Sequence, residues 1–553
     1  MKSIYRFLSL TIIAFAILLP TRVDSCTNLI VSKGASTDGS IMITYNADAG
    51  GFMEPLRFQP AKDHPAGALL EVYEWDSGKY LGKIKQVAHT YKVIGNMNEH
   101  QVTIGETTFT GREELKDSTG IMDYGSLIYV TLERAKTARE AIDIIINLCE
   151  EYGYHSTGES FSIGDKNEVW VMDLIGKGIG KKGINYVAVK VPDGYISAHA
   201  NQSRIREFPM NDPENCIYNK DIVQFAIDMK YYDPKKDGEF KFADAFNPIE
   251  PNGLLACEGR VWSLFRRAAP SQNFSSDYWR CVVGAEPYPL FVKPDKKLSV
   301  KDAINLMRDH FEGTEFDMTK GLAAGPYGCP YRWKPLGWKL DGDTNTKYIW
   351  ERPISTQQTA FAFCSQARSS MPDEIGGIFW YGVDDSYTTV YNPLYVGMKY
   401  PPEIFSKYAI SEFSLESGFW VFNLVSNLVY SKYNLAIGDL QQLQSEIENE
   451  YFDNQPIIEK RALDFYKTDK NKAVDYITKY SINQSENTVG RWLKLWKFLV
   501  VKFNDGYVND VNIDNGRHPK SSYYDQEYYK AVVKERPDYY KEDWVQPKKN
   551  KKK

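Results

Sequence analysis

Cys26-Thr-Asn-Leu-Ile-Val-Ser32, then Gly34-Ala-Ser-Thr-Asp-Gly39, then Ile41-Met-Ile-Thr-Tyr45 running on to Asp48, is the stretch that decides the fold. Thr27 to Ser32 and Ile41 to Tyr45 are rich in β-branched and apolar residues, and Asp38-Gly39 is a turn signal between them, so they read as the two strands of a hairpin. Pairing Ser32 with Ile41 sets Cys26 opposite Ala47 and brings Asp48 within one residue of the start of the first strand. A carboxylate there can hold an ammonium by a charge-assisted hydrogen bond. A solvated aspartate after a strand is the plainer alternative.

Ahead of Cys26, Lys2 and Arg6 precede an apolar stretch from Leu8 to Leu19 that is too short to span a bilayer. Val23 and Ser25 take the small-residue positions three and one before Cys26. Residues 1–25 therefore read as a secretory signal peptide, and the expectation is a periplasmic or secreted protein whose first residue is Cys26. Two other readings of Cys26 stay open: a lipidated lipoprotein anchor, which Asp24 and the lack of a leucine three positions before fit poorly, and half of a disulfide.

A first-residue cysteine suggests chemistry. Cleaving an amide with a thiol takes a thiolate, a proton acceptor and donors for the oxyanion. A terminal cysteine brings its own acceptor, because an α-amine with a pKa of about 8 can shuttle the proton without a histidine.

Ten short motifs follow one another along the chain: Cys26-Thr-Asn28, Gly34 to Ser40, Asn98-Glu-His-Gln101, Gly105-Glu-Thr-Thr108, Glu168-Val-Trp170, Val191-Pro-Asp-Gly194, His199-Ala-Asn-Gln202, Glu312-Gly-Thr314, Gly325-Pro-Tyr-Gly328 and Ile354-Ser-Thr356. By these the chain resembles the N-terminal nucleophile (Ntn) hydrolases, and within them the cysteine dipeptidases of peptidase family C69, which sit near the choloylglycine hydrolases and penicillin V acylases. The resemblance implies an α+β fold, a four-layer αββα sandwich, and dipeptide hydrolysis without metal. It also implies roles: Cys26 as nucleophile, Asp48 as the aspartate ending the second strand, and Asn201 as oxyanion support. Arg260, in Gly-Arg-Val-Trp, matches a site arginine of the acylase relatives. Relatives place an arginine three residues before the aspartate where this chain has Tyr45, and a phenol does not lower a thiol pKa as a guanidinium does. Thiolate formation would then lean on the terminal ammonium or on Arg260. No second oxyanion donor is evident around Gly105-Glu106-Thr107.

Losing Lys2, Arg6, Arg22 and Asp24 with the leader moves the formal charge from −5 to −7, which argues against nucleic acid as a partner. Neither C-x-x-C nor H-E-x-x-H occurs, so no metal or other cofactor is expected. The six other cysteines (149, 216, 257, 281, 329 and 364) leave pairing open, and Cys149 reads equally well as a core thiol. Residues 26–400 read as a mixed α and β catalytic domain, with Ser160–Ile163 turning into Val169–Met172 and a helix over Ala138–Cys149. Residues 401–545 read as a helical region packed on it, from apolar stripes such as Val421, Leu424, Val425 and Leu428, and residues 546–553 as a solvated basic tail. Gly178, Gly180 and Gly183 fit a dinucleotide-loop spacing, but the strand signal after them makes this a glycine-rich turn.

Three functions compete. The first is an exported hydrolase of dipeptides or short peptides acting through a Cys26 thioester, with no stable membrane insertion; assemblies of several copies occur among relatives. The second is an N-acyl amide hydrolase, such as one for bile-acid conjugates. A carboxylate that receives a free substrate amine would separate these two, and Glu106 and Glu159 are candidates. The third is a non-catalytic binding lipoprotein. His199, beside Asn201, reads as a positioned strand residue rather than a base.

Overall fold

The computed structural model describes residues 26–49, 53–333, 336–407, 410–511, 519–537 and 539–541; the leader and the basic tail lie outside them. The structure is α+β. Its main strands are β1 (Asn28–Val31), β2 (Ile41–Asp48), β3 (Thr103–Phe109), β4 (Gly158–Gly164), β5 (Val169–Gly176), β6 (Ile184–Lys190), β7 (Ile196–His199), β8 (Thr359–Ala367), β9 (Ile378–Val383) and β10 (Asn392–Tyr395). A six-stranded antiparallel sheet runs β7-β1-β2-β8-β9-β10. A second antiparallel sheet of eight strands has β6-β5-β4-β3 at its centre.

The opening hairpin has the register expected of it: Ile30 pairs with Ile43, Val31 with Met42, and Thr27 bridges Asn46. All eight residues of β2 are buried, because both faces of its sheet are covered. β2 touches β3 and β4 of the other sheet on one face, and the short helix Val300–Leu306 lies against it as well. Alternation then divides its side chains. Tyr45 turns to Glu106 on β3, whereas Asn46 turns to the carbonyls of Met307 and Ile354.

On the eight-stranded sheet lie α1 (Tyr124–Leu132) and α2 (Ala138–Tyr152). The Thr137 side chain caps α2 by accepting from Glu140 N–H, and the helix ends at Gly153, whose φ of 76° favours glycine. β4 and β5 are joined through the turn at 165–168, where Ser160–Ile163 is expected to turn into Val169–Met172, and Gly178, Gly180 and Gly183 form a turn into β6. Further on, α3 (Glu258–Ala268) packs on β7. The C-terminal helices α4 (Gly418–Ser431), α5 (Tyr433–Tyr466) and α6 (Lys470–Lys502) share one hydrophobic core with the six-stranded sheet. Buried ion pairs, Arg308 with Glu448 and Arg368 with Glu459, each at 2.6 Å, tie α5 to the body. All seven cysteines are unpaired. Among the described residues no helix is long and apolar enough to cross a membrane.

Candidate active site

Residues opposite one another in an antiparallel pair share a face, so the register that sets Cys26 opposite Ala47 also turns its thiol toward the eight-stranded sheet with Tyr45. There it opens on a cavity of about 160 Å³ lined by Cys26, Tyr45, Ala47, Glu106, Thr108 and Tyr124 among others. The Sγ atom lies 3.2 Å from the Tyr45 hydroxyl and 3.6 Å from Glu106 Oε1. Tyr45 in turn donates to the same Glu106 oxygen at 2.5 Å. Burial, then the Glu106 and Asp48 charges, hold the thiol well above its ordinary pKa, while Tyr45 and the Asp48 backbone N–H pull it down.

Close approach of the sheets makes this meeting possible. Asn28 Nδ2 donates to the Glu106 carbonyl at 2.7 Å, and its Oδ1 sits where Gly105 has no side chain; a Cβ there would be 2.3 Å from it. The glycine of Gly-Glu-Thr-Thr is therefore steric in purpose.

Glu106 and Glu159 are diagonal neighbours on one face of the β3–β4 pair, since Thr108 is the residue opposite Glu159. Both are buried, and burial pushes Glu106 to about 7 and Glu159 well above the carboxylate range; the Glu106 charge raises Glu159 further, whereas the neighbouring Glu159 carboxyl lowers Glu106. Thr108 donates to Glu159 Oε1 at 2.8 Å, and the Oε2 of each carboxyl meets no donor outside the pair. Two acids so placed hold one proton between them.

Arg260 and Asn201 meet beside the Cys26 backbone. Arg260, fully buried on α3, donates to the Cys26 carbonyl at 2.6 Å, to Thr27 Oγ1 at 2.9 Å, to the Ala200 carbonyl at 3.1 Å and to Asn201 Oδ1 at 2.9 Å, and its Nε donates to the Ala256 carbonyl. All five of its N–H groups are engaged. It therefore clamps the backbone of Cys26 rather than touching the sulfur. Asn201, in left-handed conformation at φ 60°, donates from Nδ2 to the Thr108 carbonyl at 2.8 Å.

A scan of family profiles matches Peptidase family C69 over residues 25–446. The chain belongs to peptidase family C69. It is 26% identical to a probable dipeptidase of Salmonella dublin, over 70% of this chain and 85% of that one. It is 23% identical to probable dipeptidase B of Streptococcus pyogenes serotype M1, over 86% and 93%, and 24% identical to a probable dipeptidase of Latilactobacillus sakei, over 74% and 82%.

In this family C69 chain Asp48 ends β2 on the face away from the thiol. It is fully buried, receives Arg352 Nη2 at 2.5 Å and Thr359 Oγ1 at 2.6 Å, and burial still raises its pKa against the pull of Arg352. Arg352 escapes sequence reasoning because it reaches Asp48 from a segment just before β8, with no spacing that marks it. Glu54, Trp75, Asp76 and Asn96 also line the cavity unannounced, each from a loop or a turn. His199 is a structural tie: its two ring nitrogens lie 2.7 Å from Thr107 and Ser162 hydroxyls on the other sheet. Burial and then Arg204 push it down to about 3, so it is neutral at physiological pH. Asn98-Glu-His-Gln is structural too, Asn98 donating to the Leu132 and Ala135 carbonyls and Gln101 to Arg368 and Asp373. Among the described residues no group of three or more His, Cys, Asp and Glu is placed to hold a metal ion.

Proposed function

We propose that this chain is an exported cysteine dipeptidase with the four-layer Ntn sandwich, in which Cys26, freed by removal of residues 1–25, cleaves dipeptides through a thioester. The observation that carries the reading is the Glu106 carboxyl at 3.6 Å from the Cys26 sulfur, inside a cavity. A dipeptide offers a free ammonium one carbon away from its scissile carbonyl, so a carboxylate beside the nucleophile holds it in place. An N-acyl amide has no such cation, and its acyl group would meet a buried acid instead. A cavity of about 160 Å³ also favours a small substrate, since pockets that take drug-sized ligands run to roughly 300–1,000 Å³.

In this mechanism the Cys26 amine takes the thiol proton, and sulfur attacks the carbonyl carbon. The tetrahedral oxyanion is stabilised by the Asn201 amide, and collapse breaks the C–N bond as the Cys26 ammonium gives its proton to the departing amino acid. Water, deprotonated by the same amine, then hydrolyses the thioester and restores the thiol. Asp48, with lone pairs beyond those used by Arg352 and Thr359, orients the amine, and Arg260 fixes the backbone that carries it. The helices after residue 400 support the six-stranded sheet. Intact mass and N-terminal sequencing of the exported protein test the first step: Cys26 with an unmodified amine is expected, and any other first residue or a lipid overturns it. Replacing Cys26 by Ala is expected to abolish dipeptide hydrolysis in a protein with unchanged circular dichroism. Dipeptides are expected to be cleaved and their N-acetyl forms spared; the reverse preference sinks the assignment.

A further inference from the structure

Besides Glu106, the acidic residues Glu54 and Asp76 line the same cavity, as does Asp48, whose carboxyl is turned to Arg352; no basic side chain lines it among the described residues. Glu54 and Asp76 each have a phenol beside them. Tyr124 Oη donates to Asp76 Oδ1 at 2.7 Å, and the Tyr129 hydroxyl pulls the Glu54 pKa down against burial. Arg57, which attracts Glu54, is stacked 4.0 Å from the centre of the Tyr129 ring and does not line the cavity. Burial nonetheless pushes Glu54 up to about 8, the state of a carboxyl short of positive charge.

The aromatic wall is built as well. Trp75 lies against Tyr129 with ring centres 4.7 Å apart, its backbone N–H donates to Asp123 at 2.9 Å, and a Cβ on Gly125 would stand 2.4 Å from the Trp75 ring. Gly125 therefore leaves the place that the indole fills. Rings at this position can cover an alkyl stem and attract a cation at its end.

Where a dipeptide's ammonium rests on Glu106, the side chain branching from the same carbon enters the rest of the cavity, while the departing residue lies beyond the sulfur. Glu106 is 3% exposed, and its Oε2 meets no donor outside the carboxyl pair, so the first cation is already assigned there. We propose that Glu54 and Asp76, with Trp75, Tyr124 and Tyr129, form a second cation subsite that selects dipeptides whose N-terminal residue has a positively charged side chain. This rests on the dipeptidase reading above.

The test compares lysyl-alanine with norleucyl-alanine and arginyl-alanine with citrullyl-alanine, pairs that differ chiefly in side-chain charge. A preference of about tenfold in kcat/KM for the cationic member is expected, falling to within about twofold in Glu54→Gln/Asp76→Asn, with smaller losses in each single variant. Equal rates in the parent protein, or a preference that survives all three variants, overturn the subsite. If the parent protein cleaves none of these dipeptides, the dipeptidase reading has failed on its own. The subsite is then judged by protection of Cys26 from iodoacetamide: stronger protection by lysinamide than by norleucinamide supports it, and equal protection overturns it.

Discussion

The two sheets treat buried charge in opposite ways. On the six-stranded side the charges of Asp48 and Arg260 near Cys26 have internal answers: Asp48 has Arg352, and Arg260 spends all five donors on oxygen atoms of the protein. On the eight-stranded side Glu106 and Glu159 face each other, with no cation within ion-pair distance among the described residues, and answer only with hydroxyls and a shared proton. Completed pairs hold a structure in shape, whereas an unpaired acid beside a nucleophile leaves room for a charge that arrives with the substrate.

The sharpest way to break this contrast is Arg352→Met. Asp48 is fully buried, and removing its guanidinium leaves a carboxylate with the Thr359 hydroxyl and the weaker attraction of Arg260. Breaking one half of a buried pair costs about 3–5 kcal/mol, and urea unfolding at neutral pH is expected to show a loss of that size. A loss below about 1 kcal/mol would mean that Asp48 is satisfied without Arg352 and that the six-stranded side is no better compensated than the other.

Glu159→Gln, the corresponding change on the other sheet, is expected to act with the opposite sign. Glu106 has a folded pKa of about 7 against an ordinary 4.5, so between those values the folded protein holds a proton that the unfolded chain has released. Stability conferred by that proton is full below 4.5 and is lost as pH rises to about 7, on the order of 3 kcal/mol in all. An amide at 159 can still donate to Glu106, as the neutral Glu159 carboxyl does, but cannot itself ionise beside it, so the second buried acid no longer penalises the fold at high pH. Denaturant midpoints at pH 5 and pH 8 are therefore expected to lie closer together in the variant than in the parent, with the gain at pH 8. A variant that is less stable at pH 8 would show that the acid pair is an internal structural bond and not a place left for a cation.

The hairpin register was legible because the loop from Gly34 to Gly39, with its Asp38-Gly39 turn signal, closes Ser32 onto Ile41, and a strand's period of two carries that pairing back to Cys26. That alone places Cys26, Tyr45 and Asp48. The helix at α2 and the turn at 165–168 were legible for the same reason, a local pattern with a cap or a turn residue to end it. Arg352, Glu54 and Asp76 were not, because they come from irregular segments whose path is set by tertiary packing and not by periodicity. Tyr45 shows a different gap. Sequence reasoning weighs it as a phenol that lacks a guanidinium's charge, but its role in the fold is relational: it donates to Glu106 while touching the thiol, and that partner lies 61 residues away on another sheet.

His199 offers the smallest and most diagnostic effect, because it is a polar group on the compensated sheet whose partners are on the other. With Thr107 and Ser162 at its two nitrogens, one hydroxyl donates and the other accepts, which fixes a neutral tautomer. Its folded pKa of about 3 lies below the ordinary 6.5, so below pH 6.5 the unfolded chain takes a proton that the folded protein refuses, and stability from this residue falls as pH drops toward 3. That slope opposes the one from Glu106. In the parent protein, NMR of the imidazole is expected to show one neutral form from pH 8 to pH 5. His199→Gln is expected to cost about 1–2 kcal/mol through its two hydrogen bonds and to leave the apparent pKa values of kcat/KM where they were. If the variant instead loses an acidic limb near pH 6, an imidazole and not the amine of Cys26 is moving the proton, and the six-stranded side is no longer merely a scaffold for the sulfur.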